Sequence, residues 1–127
     1  MQPREITAEE RNALVKFLKL EISLEALLGE LDGMVEIQFL PAERRLTSHL
    51  LPAEPPILVH AADIDQAVSA CRAGVIDERS LVRWATMLLL NDAYLGEDDN
   101  DAIVDALNEL SIGGLRGFES AEKAQTR

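Results

Sequence analysis

ALVKFLKLEISLEALLGEL, residues 13 to 31, aligns without a gap on AVSACRAGVIDERSLVRWA, residues 67 to 85. Leu14 meets Val68, Phe17 meets Cys71, Ile22 meets Ile76, Ser23 meets Asp77 and Leu27 meets Leu81. Both stretches read as a helix, a tight turn with an inward Ile, a capping residue and a second helix. Two origins fit this pattern: duplication of one unit, or two helical hairpins that share the periodicity of any amphipathic pair.

The neighbouring sequence fills in the elements. Thr7-Ala-Glu-Glu10 is a capping box that starts the first helix, whose Leu14, Phe17 and Leu18 form one apolar face. Ser23 caps a short second helix, Leu24 to Leu31, which stops near Gly33. In MVEIQFL, Val35, Ile37 and Phe39 alternate with Glu36 and Gln38, the clearest strand signal in the chain. Pro41, Pro52, Pro55 and Pro56 then break up residues 41 to 60, which read as irregular with a short extended piece at Ile57 to Val59. Asp63 is expected to begin the third helix and Gly74 to end it. Asp77 caps the fourth, where Leu81, Trp84, Ala85 and Leu88 form a stripe widened by Val82, Met87, Leu89 and Leu90. A fifth helix is predicted from about Asp101 to Leu110, ended by SIGG, with residues 119–127 as a flexible tail.

The fold expected is therefore a single domain over residues 1–127, mainly α. It has about five helices in two helical hairpins, with a short β element in the Pro-rich connecting segment. A chain of 127 residues hides roughly two thirds of its unfolded surface and needs no staple. Leu, Ala, Val and Ile dominate the 47% of residues that are apolar, a helix-forming composition.

Charge excludes some functions. A net charge of −11 opposes nucleic-acid binding, which depends first on Lys and Arg displacing counterions from phosphates. A helix-turn-helix DNA reader fails for the same reason: LEALLGEL has no base-reading cation, and ERSLVRWATMLLL mostly faces a core. The single cysteine, Cys71, permits no internal disulfide and fits a reducing compartment. MQPREITAEE lacks the apolar centre of a secretory signal, and WATMLLL is too short to span a bilayer, so the reading is a cytoplasmic protein with no membrane partner.

Catalytic, metal and cofactor motifs are not found. EDDND, residues 97 to 101, fails as a calcium loop: counted from Asp98, the fifth and sixth positions are Ala102 and Ile103, and counted from Asp92, the third is Tyr94. His49 and His60 have no partner at zinc spacing. Cys71 sits on a predicted inner face, where a buried small hydrophobe is the simpler reading than a nucleophile. GGLRG, residues 113 to 117, lacks the Lys and Ser or Thr of a phosphate loop.

The region from Trp84 through Leu115 stands apart. It holds seven acids (Asp92, Glu97, Asp98, Asp99, Asp101, Asp105 and Glu109) and no Lys or Arg, whereas solvated faces usually alternate charge. If Ile103, Leu107 and Leu110 point inward, Asp101, Asp105 and Glu109 form an outward stripe about 12 Å long. Repulsion at that spacing is relieved by a basic partner. Asp98, Asp99, Asp101, Asp105 and Glu109 are the candidate partner-binding residues, with Tyr94 beside them either as an anchor or as part of the core. The alternative is a structural, self-associating module that pairs two copies through Leu89, Leu90 and Ile112.

LVKFLKLEISLEALL, with its helix, Ile-Ser turn and acid-bearing second helix, resembles the opening of small helical bacterial immunity proteins of the colicin-like, self-protective kind. The likeness covers residues 11 to 31, together with overall size and acidity. It implies a small acidic protein that binds and neutralises a basic toxin. No functional residue is carried over, because the prolines at 41 to 56 depart from that pattern.

Overall fold

The computed structural model describes residues 3–39, 43–91, 93–96 and 100–125. Among them run five helices and four short strands in the order α1 (Ala8–Leu18), α2 (Leu24–Glu30), β1 (Val35–Phe39), β2 (Arg44–Ser48), β3 (Ile57–Val59), α3 (Ala61–Arg72), α4 (Glu78–Leu90), β4 (Tyr94–Gly96) and α5 (Asn100–Gln125). None of these helices is long and apolar enough to cross a membrane.

Local chemistry starts each helix. At α1, Thr7 Oγ1 accepts from the Glu10 amide and Glu10 Oε1 accepts from the Thr7 amide, at 3.1 and 2.9 Å, the reciprocal box the sequence predicts. Ser23 Oγ accepts from Ala26 N at the start of α2, and Asp77 Oδ1 from Ser80 N at the start of α4. The third helix differs from expectation. It begins at Ala61 rather than Asp63, with His60 as N-cap and Asp63 in the first turn, where its Oδ2 accepts from the His60 amide at 2.9 Å. Asp63 fills the role that Glu10 fills in α1, three residues past the cap.

The two aligned stretches close their first helices with the same backbone device. Lys19, Leu20 and Glu21 amides donate to the Val15, Phe17 and Lys16 carbonyls; Ala73, Gly74 and Val75 amides donate to those of Ser69, Cys71 and Ala70. This is a Schellman closure, and it demands a left-handed residue at its centre. Leu20 holds φ 65° and Gly74 holds φ 78°.

The strands are where sequence reading fell short. β1 was predicted and pairs antiparallel with β2, Ile37 opposite Leu46. β2 lies in the segment expected to be irregular, because RRLTS offers a single apolar residue and no legible alternation. β3 falls on the predicted extended piece, and it pairs in parallel with β4, Ile57 opposite Tyr94. The extended piece was legible, but its parallel pairing with a strand distant in sequence leaves no local signature.

Nor does SIGG end the last helix. Gly114, at φ 61° and ψ −149°, kinks α5, and helical backbone resumes to Gln125. Residues 126 and 127, at the end of the expected tail, lie outside the described residues.

The core forms around α4, which lies most extensively against α5 and more lightly against α1, α2 and α3. Trp84, Leu81 and Met87 of α4 are buried together with Leu14, Leu27, Leu31 and Leu110. Trp84 Nε1 donates to the Leu18 carbonyl at 3.2 Å, so the one indole is both packed and satisfied. Thr86 and Ser111 hydroxyls meet at 2.6 Å between α4 and α5, and Arg44 of β2 donates to Ser111, tying the β hairpin to that interface. Among the described residues no buried side-chain nitrogen or oxygen lacks a partner.

Candidate functional site

The stripe anticipated on the last helix is present. Ile103, Leu107 and Leu110 of α5 are buried, which turns Asp101 and Asp105 to solvent and leaves Glu109 half-exposed. None of the three side chains makes an ion pair or hydrogen bond among the described residues. Asp101 lies in the first turn, where the helix dipole stabilises it; Asp105 and Glu109 lie beyond that influence. Asp98 and Asp99 lie outside the described residues, as do Asp92 and Glu97. Whether Asp99 caps α5 therefore lies outside them too.

Of the two roles the sequence left open for Tyr94, the structure shows the core one. It is 8% exposed, and its hydroxyl donates to the Leu14 carbonyl of α1 at 2.7 Å. Burial pushes the phenol far above its ordinary pKa. Tyr94 closes the core between β4 and α1. The sequence carried no means of separating these roles, because the parallel pairing that pulls residue 94 inward is non-local.

The other reactive side chains sit in quiet surroundings. Burial pushes the Cys71 thiol up, and the Glu78 and Asp77 carboxylates push it further, which disfavours thiolate. His60 serves as N-cap of α3; the backbone of His49 bonds to Met34 and Arg4. Among the described residues no three His, Cys, Asp or Glu side chains converge as a metal site.

Two carboxylates are strongly engaged. Glu10 accepts both Nη atoms of Arg4 at 2.7 Å besides the Thr7 amide, and the guanidinium holds its carboxyl down at about 2. Asp63 meets Lys19 Nζ at 2.5 Å, joining the turn after α1 to the start of α3. Both are structural pairs.

Sequence reading missed a concavity. The turn after α1 and the turn before α4 face each other across a cleft of about 530 Å³, floored by Phe17, Ile22, Ile76 and Trp84. The available signal was the paired Ile22 and Ile76, read from the alignment only as inward residues.

Comparison with known proteins returns no match of the chain to a family model, a curated protein or a solved structure.

Proposed function

We propose that this chain is a non-catalytic protein-binding module that takes a basic protein on the acidic face of α5, in the manner of an immunity or antitoxin protein. The observation that carries the reading is the one-signed stripe: Asp101 and Asp105 exposed, Glu109 half-exposed, and no cation paired to them among the described residues. Such a face attracts a basic partner over a distance of about a Debye length and speeds its encounter. The likeness of residues 11 to 31 to immunity proteins supports the same class of partner. We read the supporting body as two helix pairs, α1 with α2 and α3 with α4, with α5 laid against α4.

The test is capture of partners by the tagged chain and by Asp101→Lys/Asp105→Lys from lysate of the source cells, at low and high salt. The expected result is a basic protein retained by the parent at low salt, released at high salt and not retained by the variant. Equal retention by both overturns the acidic face as the interface. Ile112, 67% exposed on α5, favours a second reading as a self-associating module, although Leu89 and Leu90 of α4 are half-buried. Sedimentation at rising concentration tests it, and a constant monomer mass removes it.

A further inference from the structure

The cleft between the two turns has a charge pattern that selects a ligand. Its floor, Phe17, Ile22, Ile76 and Trp84, is apolar. Its walls carry five charged side chains, and three of them are already used. Arg83 pairs with Glu25 at 3.3 Å and lies over the Phe39 ring, 5.0 Å from its centre. Asp77 accepts the Ser80 amide at 2.7 Å and caps α4. The remaining two are Glu21, from the turn after α1, and Arg79, from the first turn of α4. Both are exposed, and neither makes an ion pair or side-chain hydrogen bond among the described residues.

Among the described residues Glu21 makes no ion pair, and Arg79 makes none either but lies in the field of Asp77. The two come from different segments above a shared apolar floor and match a molecule bearing an ammonium, a carboxylate and an apolar side chain. We propose that the cleft binds such a zwitterion, either a free apolar α-amino acid or the ends of a short apolar peptide. Arg79 takes the carboxylate, Glu21 takes the ammonium, and the side chain rests between Ile22, Ile76 and the aromatic floor. The volume falls within the range of small-molecule sites, about 300–1,000 Å³, and a few convergent polar groups over an apolar floor is their usual composition. A ligand with a single charge leaves one wall group unpaired, and a zwitterion leaves neither.

Trp84 is the only tryptophan of these 127 residues and lies on the floor, so the chain reports on its own cleft. Indole fluorescence and the NMR signal of the Nε1 proton are followed during titration with L-leucine, leucyl-leucine, leucinamide and N-acetyl-leucine. The expected result is saturation by leucine or leucyl-leucine at about 1 mM or below, with leucinamide and N-acetyl-leucine each about 10-fold weaker. The tighter of the two zwitterions identifies the source, free amino acid or peptide. Arg79→Gln is expected to weaken leucine about 10-fold and leave leucinamide unchanged, while Glu21→Gln weakens leucine and leaves N-acetyl-leucine unchanged. Both side chains are exposed, so each variant is expected to keep the parent circular dichroism. No saturable response to either zwitterion, equal binding of all four ligands, or wild-type affinity in both variants overturns the proposal.

Discussion

The turns at residues 16–22 and 70–76 carry the same three backbone hydrogen bonds, yet the residues that build them are chemically unlike. At the left-handed position the second turn has Gly74, for which φ 78° costs nothing, and the first has Leu20, for which φ 65° costs about 1 kcal/mol. Leu20 is half-buried against the core, and that contact offsets the strain. The flanking positions diverge in the same way. Leu18 and Leu24 are buried in the region where Trp84 reaches the Leu18 carbonyl. Their counterparts Arg72 and Glu78 are exposed and meet the second half of α5: Arg72 pairs with Glu119 at 3.1 Å, and Glu78 lies against Gly114. One backbone plan is thus dressed for two neighbours, a central helix in one case and a peripheral one in the other.

The starts of the two segments show the same economy. Each first helix places a buried carboxylate three residues past its cap, Glu10 held by Arg4 and Asp63 held by Lys19. The match is not residue for residue, because α3 has 12 residues and α1 has 11. Lys19 belongs to the first segment and Asp63 to the second, so that pair also couples the two.

If the segments are energetic as well as geometric counterparts, Leu27→Ala and Leu81→Ala, both fully buried, should each cost about 3 kcal/mol in urea unfolding. A difference between them much beyond 1 kcal/mol breaks the comparison. Next, Arg4→Ala should lower stability at neutral pH by leaving the buried Glu10 carboxylate without its guanidinium. Its pH dependence follows from the lowered Glu10 pKa. The folded value, about 2, lies below the ordinary 4.5, so the stabilisation is full above about pH 4.5 and lost as pH falls toward 2. The parent and Arg4→Ala stability curves should therefore converge on acidification.

Gly114→Ala should cost about 2 kcal/mol, since φ 61° with ψ −149° is a conformation for glycine, and an added Cβ falls 2.8 Å from Glu78 Oε1. Smallest are the turn exchanges. Gly74→Ala has open space for its Cβ and should cost only the conformational term, about 1 kcal/mol. Leu20→Gly relieves a similar strain while losing apolar contact, so its midpoint should move little. A large loss in Leu20→Gly would show that burial, not backbone strain, dominates at that turn.

Much of this was legible in residues 13–31 and 67–85, where capping chemistry and a 3.6-residue period are local properties of the chain. The capping box at Thr7, the caps Ser23 and Asp77, the closure at Gly74 and the inward face of Ile103, Leu107 and Leu110 all depend on residues within one or two turns of each other. The exposure of Asp101 and Asp105 follows from that face. β2 was hidden because the inward partner at its start is Arg44, a cation that the hydrophobic pattern counts as outward and that Ser111 receives. Gly114 reads as a stop in any local scheme, and only packing against α4 lets helix resume beyond it.

The sequence by itself determined α1, α2 and α4 with their caps, the presence of α3 and of the first part of α5, and the acidity of the region after Trp84, because hydrogen bonds within a turn and the side-chain period need no distant partner. The tertiary structure alone decided that Tyr94 is a core residue, that β3 pairs with β4, and that Glu21 and Arg79 share one cleft. Each of these joins residues far apart in the chain, and such contacts depend on how the helices pack rather than on what any short stretch prefers.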